Sequence, residues 1–270
     1  MVLVDALRFI HPTPMGVRMT LSVILIVKNE AGNIRGCLES VAWADEIIVL
    51  DSGSVDDTVA LCREYTDKVF ITDWPGFGVQ KNRALNMAQC EWVLSVDADE
   101  RVTPQLRAEM EAAISNPREA VAFKMPRLSS YCGRYMHHSG WWPDYVIRLF
   151  RRGNAKFSDD LVHERVIVDG IIGELKQPLI HDSFKNLEKV LQTIDAYSSA
   201  GALMMHRQGR ETTLLTAILH GFWSFFHTYI IRAGFLDGRE GFILAVSNAE
   251  GTYYKYLKLM YLERADKPEK

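Results

Sequence analysis

Three apolar runs early in the chain each stop at a polar or acidic cluster, and this pattern restricts the fold to a sheet covered on both faces. Leu21–Val27 (LSVILIV) ends in Lys28-Asn29-Glu30, Glu46–Leu50 (EIIVL) in Asp51-Ser52-Gly53, and Glu91–Val96 (EWVLSV) in Asp97-Ala98-Asp99. Runs this apolar, rich in β-branched residues, predict strands buried on both sides. Ile34, Cys37, Leu38 and Val41 recur at helical spacing, and further helices are predicted from Thr58 to about Tyr65 and from Gly78 to Ala88, with a short strand at Lys68–Ile71. Such alternation implies a doubly wound, mostly parallel α/β sheet with right-handed crossovers.

In open parallel sheets ligands bind beyond the carboxyl ends of the strands, where the three polar clusters converge. Asp97 and Asp99, one residue apart at a strand end, can reach one hard cation, although Asp also caps turns and helix starts. Asp51 can accept from a ribose hydroxyl or a base N–H, or cap the helix that follows its turn. Glu30 can hold a ribose or favour the next helix start electrostatically.

From Ala120 the pattern breaks into short apolar pieces (Ala120–Met125, Val146–Phe150, Val166–Val168) among aromatic and polar clusters, including Trp141-Trp142-Pro143-Asp144. Loops of this kind beside a rigid sheet are where substrate contacts gather. From Leu187 the chain reads as helical. Leu214–Ile231 is long and apolar enough to cross a bilayer, yet it holds His220, Gly221 and His227 and is flanked by Arg210 and Arg232. A helix lying on a membrane surface is expected, with Trp223, Phe225, Phe226 and Tyr229 at the headgroup boundary; a core or dimer helix would read the same way. Tyr253–Lys258 mixes aromatics and lysines, as interfacial anchors do. The expected division is an extension over 1–18, a catalytic domain over 19–186 with halves 19–119 and 120–186, and a helical region over 187–270.

A net charge of −3 gives no basic field for nucleic acid. Four scattered cysteines with no C-x-x-C pair argue for reduced thiols in the cytosol. The first 18 residues lack the long apolar core and cleavage site of a signal peptide, and Met19 is a candidate start.

VILIVKNEAGNIRGCLESV, IIVLDSGSVDDT, GFGVQKNRAL and EWVLSVDADERV together resemble the start of a family 2 glycosyltransferase of GT-A fold, without a gap from residue 21 to about 125. SGWWPDYVIRLFRRG, DDLVHERV and YIIRAGFLDGREGF further resemble the bacterial lipopolysaccharide core glucosyltransferases. The resemblance implies inverting transfer of a hexose, glucose in this subfamily, from UDP-glucose or a similar donor to a lipid-linked saccharide such as the lipopolysaccharide inner core. It places the enzyme peripherally on the inner face of the cytoplasmic membrane.

Carried over residue by residue, Val27, Asn29, Glu30, Asp51, Gln80, Lys81, Arg83, Asp97 and Ala98 would bind the nucleotide-sugar. Asp97 and Asp99 would hold Mg²⁺ or Mn²⁺; His163 reads as a further metal ligand or a phosphate contact, or as an ordinary hydrogen-bonded residue. Trp141, Trp142, Arg148 and Arg151 would contact acceptor or phosphate. Inversion needs a base on the face opposite the leaving group. Asp144, Asp159, Asp160 and Glu164 are the candidates, with Glu164 favoured and Asp144 second. Two other readings compete: a sugar-phosphate nucleotidyltransferase, and a non-catalytic nucleotide-binding scaffold at the membrane. The first would want a Gly- and Arg-rich loop where Lys28–Asn33 stands.

Overall fold

The computed structural model describes residues 20–158 and 165–265. The segment before residue 20, with Met19, and the candidates Asp159, Asp160, His163 and Glu164 lie outside the described residues.

β1 (Leu21–Val27) is buried almost throughout, as an apolar strand must be when helices cover both faces. α1 (Ile34–Val41) buries Ile34, Cys37, Leu38 and Val41, the stripe that predicts it. β2 (Glu46–Asp51) runs parallel to β1, bringing Val27 opposite Asp51. α2 (Thr58–Arg63) leads to β3 (Val69–Ile71), parallel to β2. α3 (Phe77–Met87) then crosses to β4 (Trp92–Ser95), which pairs parallel with the other edge of β1. Strand order therefore reverses direction between β1 and β4, the kind of switch point that opens a crevice at the strand ends. Val23 and Leu25 of β1 pack in one core with α1, while Ile24 packs in a second with Ala84 and Leu85 of α3.

β5 (Glu100–Val102) and α4 (Pro104–Ser115) follow the Asp-Ala-Asp turn, with the Thr103 hydroxyl capping α4 by accepting from the Leu106 N–H at 3.1 Å. The remaining strands are β6 (Ala120–Tyr131), β7 (Arg134–Tyr135), β8 (Asp144–Arg151), β9 (Ala155–Phe157), β10 (Val166–Val168), β11 (Ile171–Glu174) and β12 (Leu179–Phe184). Most join one mixed sheet ordered β3-β2-β1-β4-β8-β6-β12-β5, with β8 antiparallel to both its neighbours. Residues from both expected halves of the catalytic domain thus share one sheet. β6 runs well past the expected Met125, because pairing with β8 and β12 carries the strand through Pro126 to Tyr131.

The helical region is α5 (Leu187–Arg207), α6 (Leu214–Phe226) running into a π turn at His227–Ile231, a 3-10 turn at Gly234–Asp237, and α7 (Gly238–Ala265). α5 and α6 both pack on α7. Phe225 and Tyr229 turn inward, their rings 5.7 and 5.5 Å from that of Phe242. The face of α6 open to solvent carries Leu215, Ile218, Leu219, Phe222 and Trp223 instead. Tyr131, Met136, Val190 and Leu244 form a small core that joins these helices to the sheet.

Candidate functional site

A cleft of about 440 Å³ opens where β1 and β4 end. Val27 and Lys28 border it from β1, Asp97, Ala98 and Asp99 from β4, and Lys81 from α3. Trp74 and Phe77, packed edge to face at 4.7 Å, stand at its mouth.

The two acidic residues of the turn have different surroundings. Asp97 Oδ1 takes the Lys81 ammonium at 3.0 Å and Oδ2 the Arg148 guanidinium. Arg148 also reaches Glu100 Oε1 at 2.7 Å, and Glu100 Oε2 accepts the Asp97 N–H at 3.0 Å. Arg127 lies 3.7 Å from Glu100 and 2.6 Å from Asp144, so three cations and three carboxylates alternate across the sheet. Burial alone would raise the Asp97 carboxyl, but Arg148 and then Lys81 outweigh it and hold it far below the ordinary carboxylate range. Burial likewise opposes the charge on Arg148, and Asp97 and Glu100 overcome it.

Asp99 stands outside this network. Its Oδ2 is 3.3 Å from His181 Nε2, and His181 Nδ1 shares a 2.8 Å hydrogen bond with the Ser129 hydroxyl. Both Asp99 and His181 line the cleft. Glu30 lies on the same wall; burial pushes its carboxyl up, opposed by the Asn33 amide that donates to it at 2.7 Å.

The other predicted donor contacts do not border this cleft. Asp51 is 1% exposed, and its carboxylate accepts from the Gly53 and Ser54 N–H groups at 2.9 Å and from the Ser54 hydroxyl. Asn29, in the left-handed region at φ 55°, donates its N–H to Ser54 Oγ and accepts the Val55 N–H, both at 2.8 Å. Together Asp51, Ser54 and Asn29 tie the loops after β1 and β2. Gln80 is buried, donating to Ser52 and Thr72 hydroxyls, and Arg83 pairs with Asp73 at 2.7 Å.

A second cleft of about 290 Å³ shares His181 with the first and is bordered by Arg127, Asp144 and Trp141. Asp144 sits there held by Arg127, which donates from Nε at 3.0 Å as well as from Nη2. Trp142 packs edge-on to His137 at 6.0 Å and borders neither cleft. Arg151 lies beside Trp92, at the far end of β4, paired with Glu91 at 2.6 Å, so the structure does not bring it to the site.

Sequence reasoning passed over Glu100, Arg127 and His181. Glu100 directly follows the acidic triplet, while Arg127 and His181 stand in strands that also carry Lys124, Ser129, Asp182 and Ser183, so no local pattern sets them apart.

Among the described residues no three acidic, His or Cys side chains cluster as a ready metal cage. Asp97 has a cation on each oxygen, whereas the Asp99 carboxylate and the His181 imidazole face the cleft side by side. This pair fits a divalent ion that completes its shell with ligand oxygens and water.

The family model described as "Glycosyl transferase family 2" matches residues 22–173. An uncharacterized glycosyltransferase of Rickettsia felis is 29% identical over 257 residues, covering 88% of this chain and 89% of the relative. The lipopolysaccharide core biosynthesis glycosyltransferase LpsC of Rhizobium meliloti is 28% identical over 250 residues, covering 86% and 88%. Among solved structures, glucosyl-3-phosphoglycerate synthase from Mycobacterium tuberculosis, in complex with Mg²⁺ and UDP, is 26% identical over 40% of this chain and 43% of its own, with a TM-score of 0.36.

Proposed function

The chain belongs to glycosyl transferase family 2, and on that premise we propose that it transfers glucose, with inversion, from UDP-glucose to a lipid-linked saccharide of the lipopolysaccharide inner-core kind. The observation that carries this reading is His181 bordering two adjoining clefts, one beside the acidic strand end and one beside Asp144. A donor in the first cleft and an acceptor in the second would meet at that residue. Similarity to LpsC over most of both chains supports the acceptor class. Family membership favours sugar transfer over the nucleotidyl-transfer alternative.

In this reading Asp99 and His181 hold Mg²⁺ or Mn²⁺, which would offset the charge that develops on the departing diphosphate. Lys28 and Lys81 border the same cleft and place further positive charge near the phosphates. Asp97, saturated by Lys81 and Arg148, fixes the turn so that Asp99 faces the donor. Trp74 and Phe77 offer aromatic faces at the mouth for the base or the sugar. The acceptor hydroxyl gives its proton to a carboxylate on the opposite side, Asp144 or Glu164. The apolar face of α6 rests on the inner leaflet of the cytoplasmic membrane, which brings a lipid-linked acceptor to the second cleft.

The test is incubation with UDP-glucose, Mn²⁺ and deglucosylated lipopolysaccharide core, following transferred glucose. Asp99→Ala is expected to abolish transfer at unchanged circular dichroism. Normal transfer by that variant, or no turnover with any nucleotide-sugar, would overturn the proposal. Loss of turnover with UDP binding retained in Glu164→Gln, but not in Asp144→Asn, would assign the base to Glu164.

A further inference from the structure

A third cavity, about 330 Å³, lies between the sheet and the helical region. Trp141 and Phe184 border both it and the second cleft, just as His181 borders both the second cleft and the first. The three spaces therefore form a series that runs from the strand ends to α5 and α7.

The chemistry of the third cavity is mixed in a particular way. Tyr131 and Trp141 border it together with Ser247, Asn248 and Thr252 on α7. The Tyr131 and Ser247 hydroxyls share a 2.9 Å hydrogen bond. Lys255 is the one charged side chain among the bordering residues, its ammonium 5.2 Å from the centre of the Tyr256 ring. The Asn248 amide donates to the Thr228 hydroxyl and the Thr252 hydroxyl to that of Ser224, each at 3.3 Å, and both side-chain oxygens keep further acceptor capacity. A pyranose offers C–H faces to the rings and hydroxyls to the polar side chains, and Lys255 complements an anionic substituent on it.

We infer that this cavity binds an acidic or phosphorylated saccharide unit of the acceptor, one removed from the sugar that receives the glycosyl group. The helical region then does more than meet the membrane: it supplies one wall of the acceptor site and selects the acceptor by its inner sugars. This inference rests on the reading of the chain as a glycosyltransferase with an acceptor in the second cleft.

Gly251 on α7 gives a clean way to close the cavity. A Cβ there would meet nothing nearer than the Ile194 side chain at 3.7 Å, and leucine suits a helix better than glycine does. Gly251→Leu therefore fills the space, and Gly251→Ala leaves it open. The probes are UDP with Mn²⁺ in calorimetry, and transfer from UDP-glucose to phosphorylated inner-core oligosaccharide freed of its acyl chains. Gly251→Leu should keep UDP affinity within about twofold while raising the acceptor KM by about tenfold or more, a loss carried by acceptor contacts alone. Gly251→Ala should behave as wild type, and Lys255→Gln should raise the acceptor KM and flatten its dependence on salt.

An unchanged acceptor KM in Gly251→Leu, with UDP binding intact, overturns the subsite and leaves the donor reading standing. Failure of the wild-type chain to bind UDP overturns both. Inhibition by laurate that is relieved in Gly251→Leu, without inhibition by the free phosphorylated sugar, would reassign the cavity to an acyl chain.

Discussion

His181 Nε2 lies 3.3 Å from Asp99 Oδ2, at the point where the two clefts adjoin. The Ser129 hydroxyl on the other ring nitrogen fixes the plane of the imidazole, so the pair presents one carboxylate and one nitrogen in a set direction. If these two groups hold the divalent ion, His181→Ala should raise the Mn²⁺ needed for half-maximal transfer by roughly 10–100-fold, and Ser129→Ala should do so more weakly. Transfer measured against Mn²⁺ concentration checks this. Equal rates in EDTA and in Mn²⁺ for the wild-type chain would remove the metal from the scheme.

Asp97 leads to a different expectation. Its native carboxyl is held below its ordinary value, so its contribution to stability is complete above the unfolded-state pKa of about 3.9 and is lost as pH falls toward the native one. Asp97→Asn removes the carboxylate that Lys81 and Arg148 share, leaving one negative charge too few beside an Arg148 that is 8% exposed. A loss of about 3 kcal/mol at pH 7 is expected, the lower end for a broken buried pair, because a third of the Asp97 side chain remains open to solvent. The gap between wild type and variant should narrow progressively as pH drops below about 4, where the unfolded carboxyl takes up a proton while the native one keeps its charge. Urea midpoints at the two pH values measure it, and a gap independent of pH would contradict the assignment.

The contrast between Asp97 and Asp99 also shows what the amino-acid order could and could not reveal. The strand ends were legible, because an apolar run that stops at Asp-Ala-Asp has few folded alternatives. Ile34, Cys37, Leu38 and Val41 were equally plain, since a helix that packs on one face must repeat its apolar residues at that interval. The partners of each carboxylate were not legible. Arg148 and Lys81 come from a neighbouring antiparallel strand and a crossover helix, and His181 arrives on β12, so each depends on sheet order that no local pattern encodes. Asp51 shows the same limit from the other side: its place at a strand end was clear, but the turn it stabilises uses all the bonds its carboxylate makes here.

Asp237, 1% exposed, holds the loop that carries Trp141. Its carboxylate accepts the N–H groups of His137 and His138 and the Ser139 hydroxyl, each at 3.0 Å. Asp237→Ala would strand three donors, of which the Ser139 hydroxyl is buried, with an expected cost of about 2 kcal/mol. The melting temperature should fall, and because Trp141 borders both acceptor-side cavities, the acceptor KM should rise more than the donor KM. Equal changes in both would mean that the loop does not position the acceptor.

The last expectation concerns α6. Within 214–231, an 18-residue apolar stretch with no charged side chain, 17% of the residues are buried. Leu215, Leu219, Phe222 and Trp223 are each more than half exposed and fall on one side at helical spacing. Water is a poor neighbour for such a stripe, and a lipid interface is a good one. Replacing Leu219 and Phe222 together with Ser should weaken binding to anionic vesicles by about 2 kcal/mol, roughly thirtyfold in partitioning, allowing for partial burial of each side chain. Phe225→Ser should behave oppositely: its ring packs on Phe242, so the folded protein should lose stability while the membrane-facing stripe stays complete. Co-sedimentation with vesicles, paired with thermal unfolding, separates the two effects. Release from the membrane by Phe225→Ser but not by the Leu219 and Phe222 pair would mean that the stripe rests against a protein surface instead of lipid.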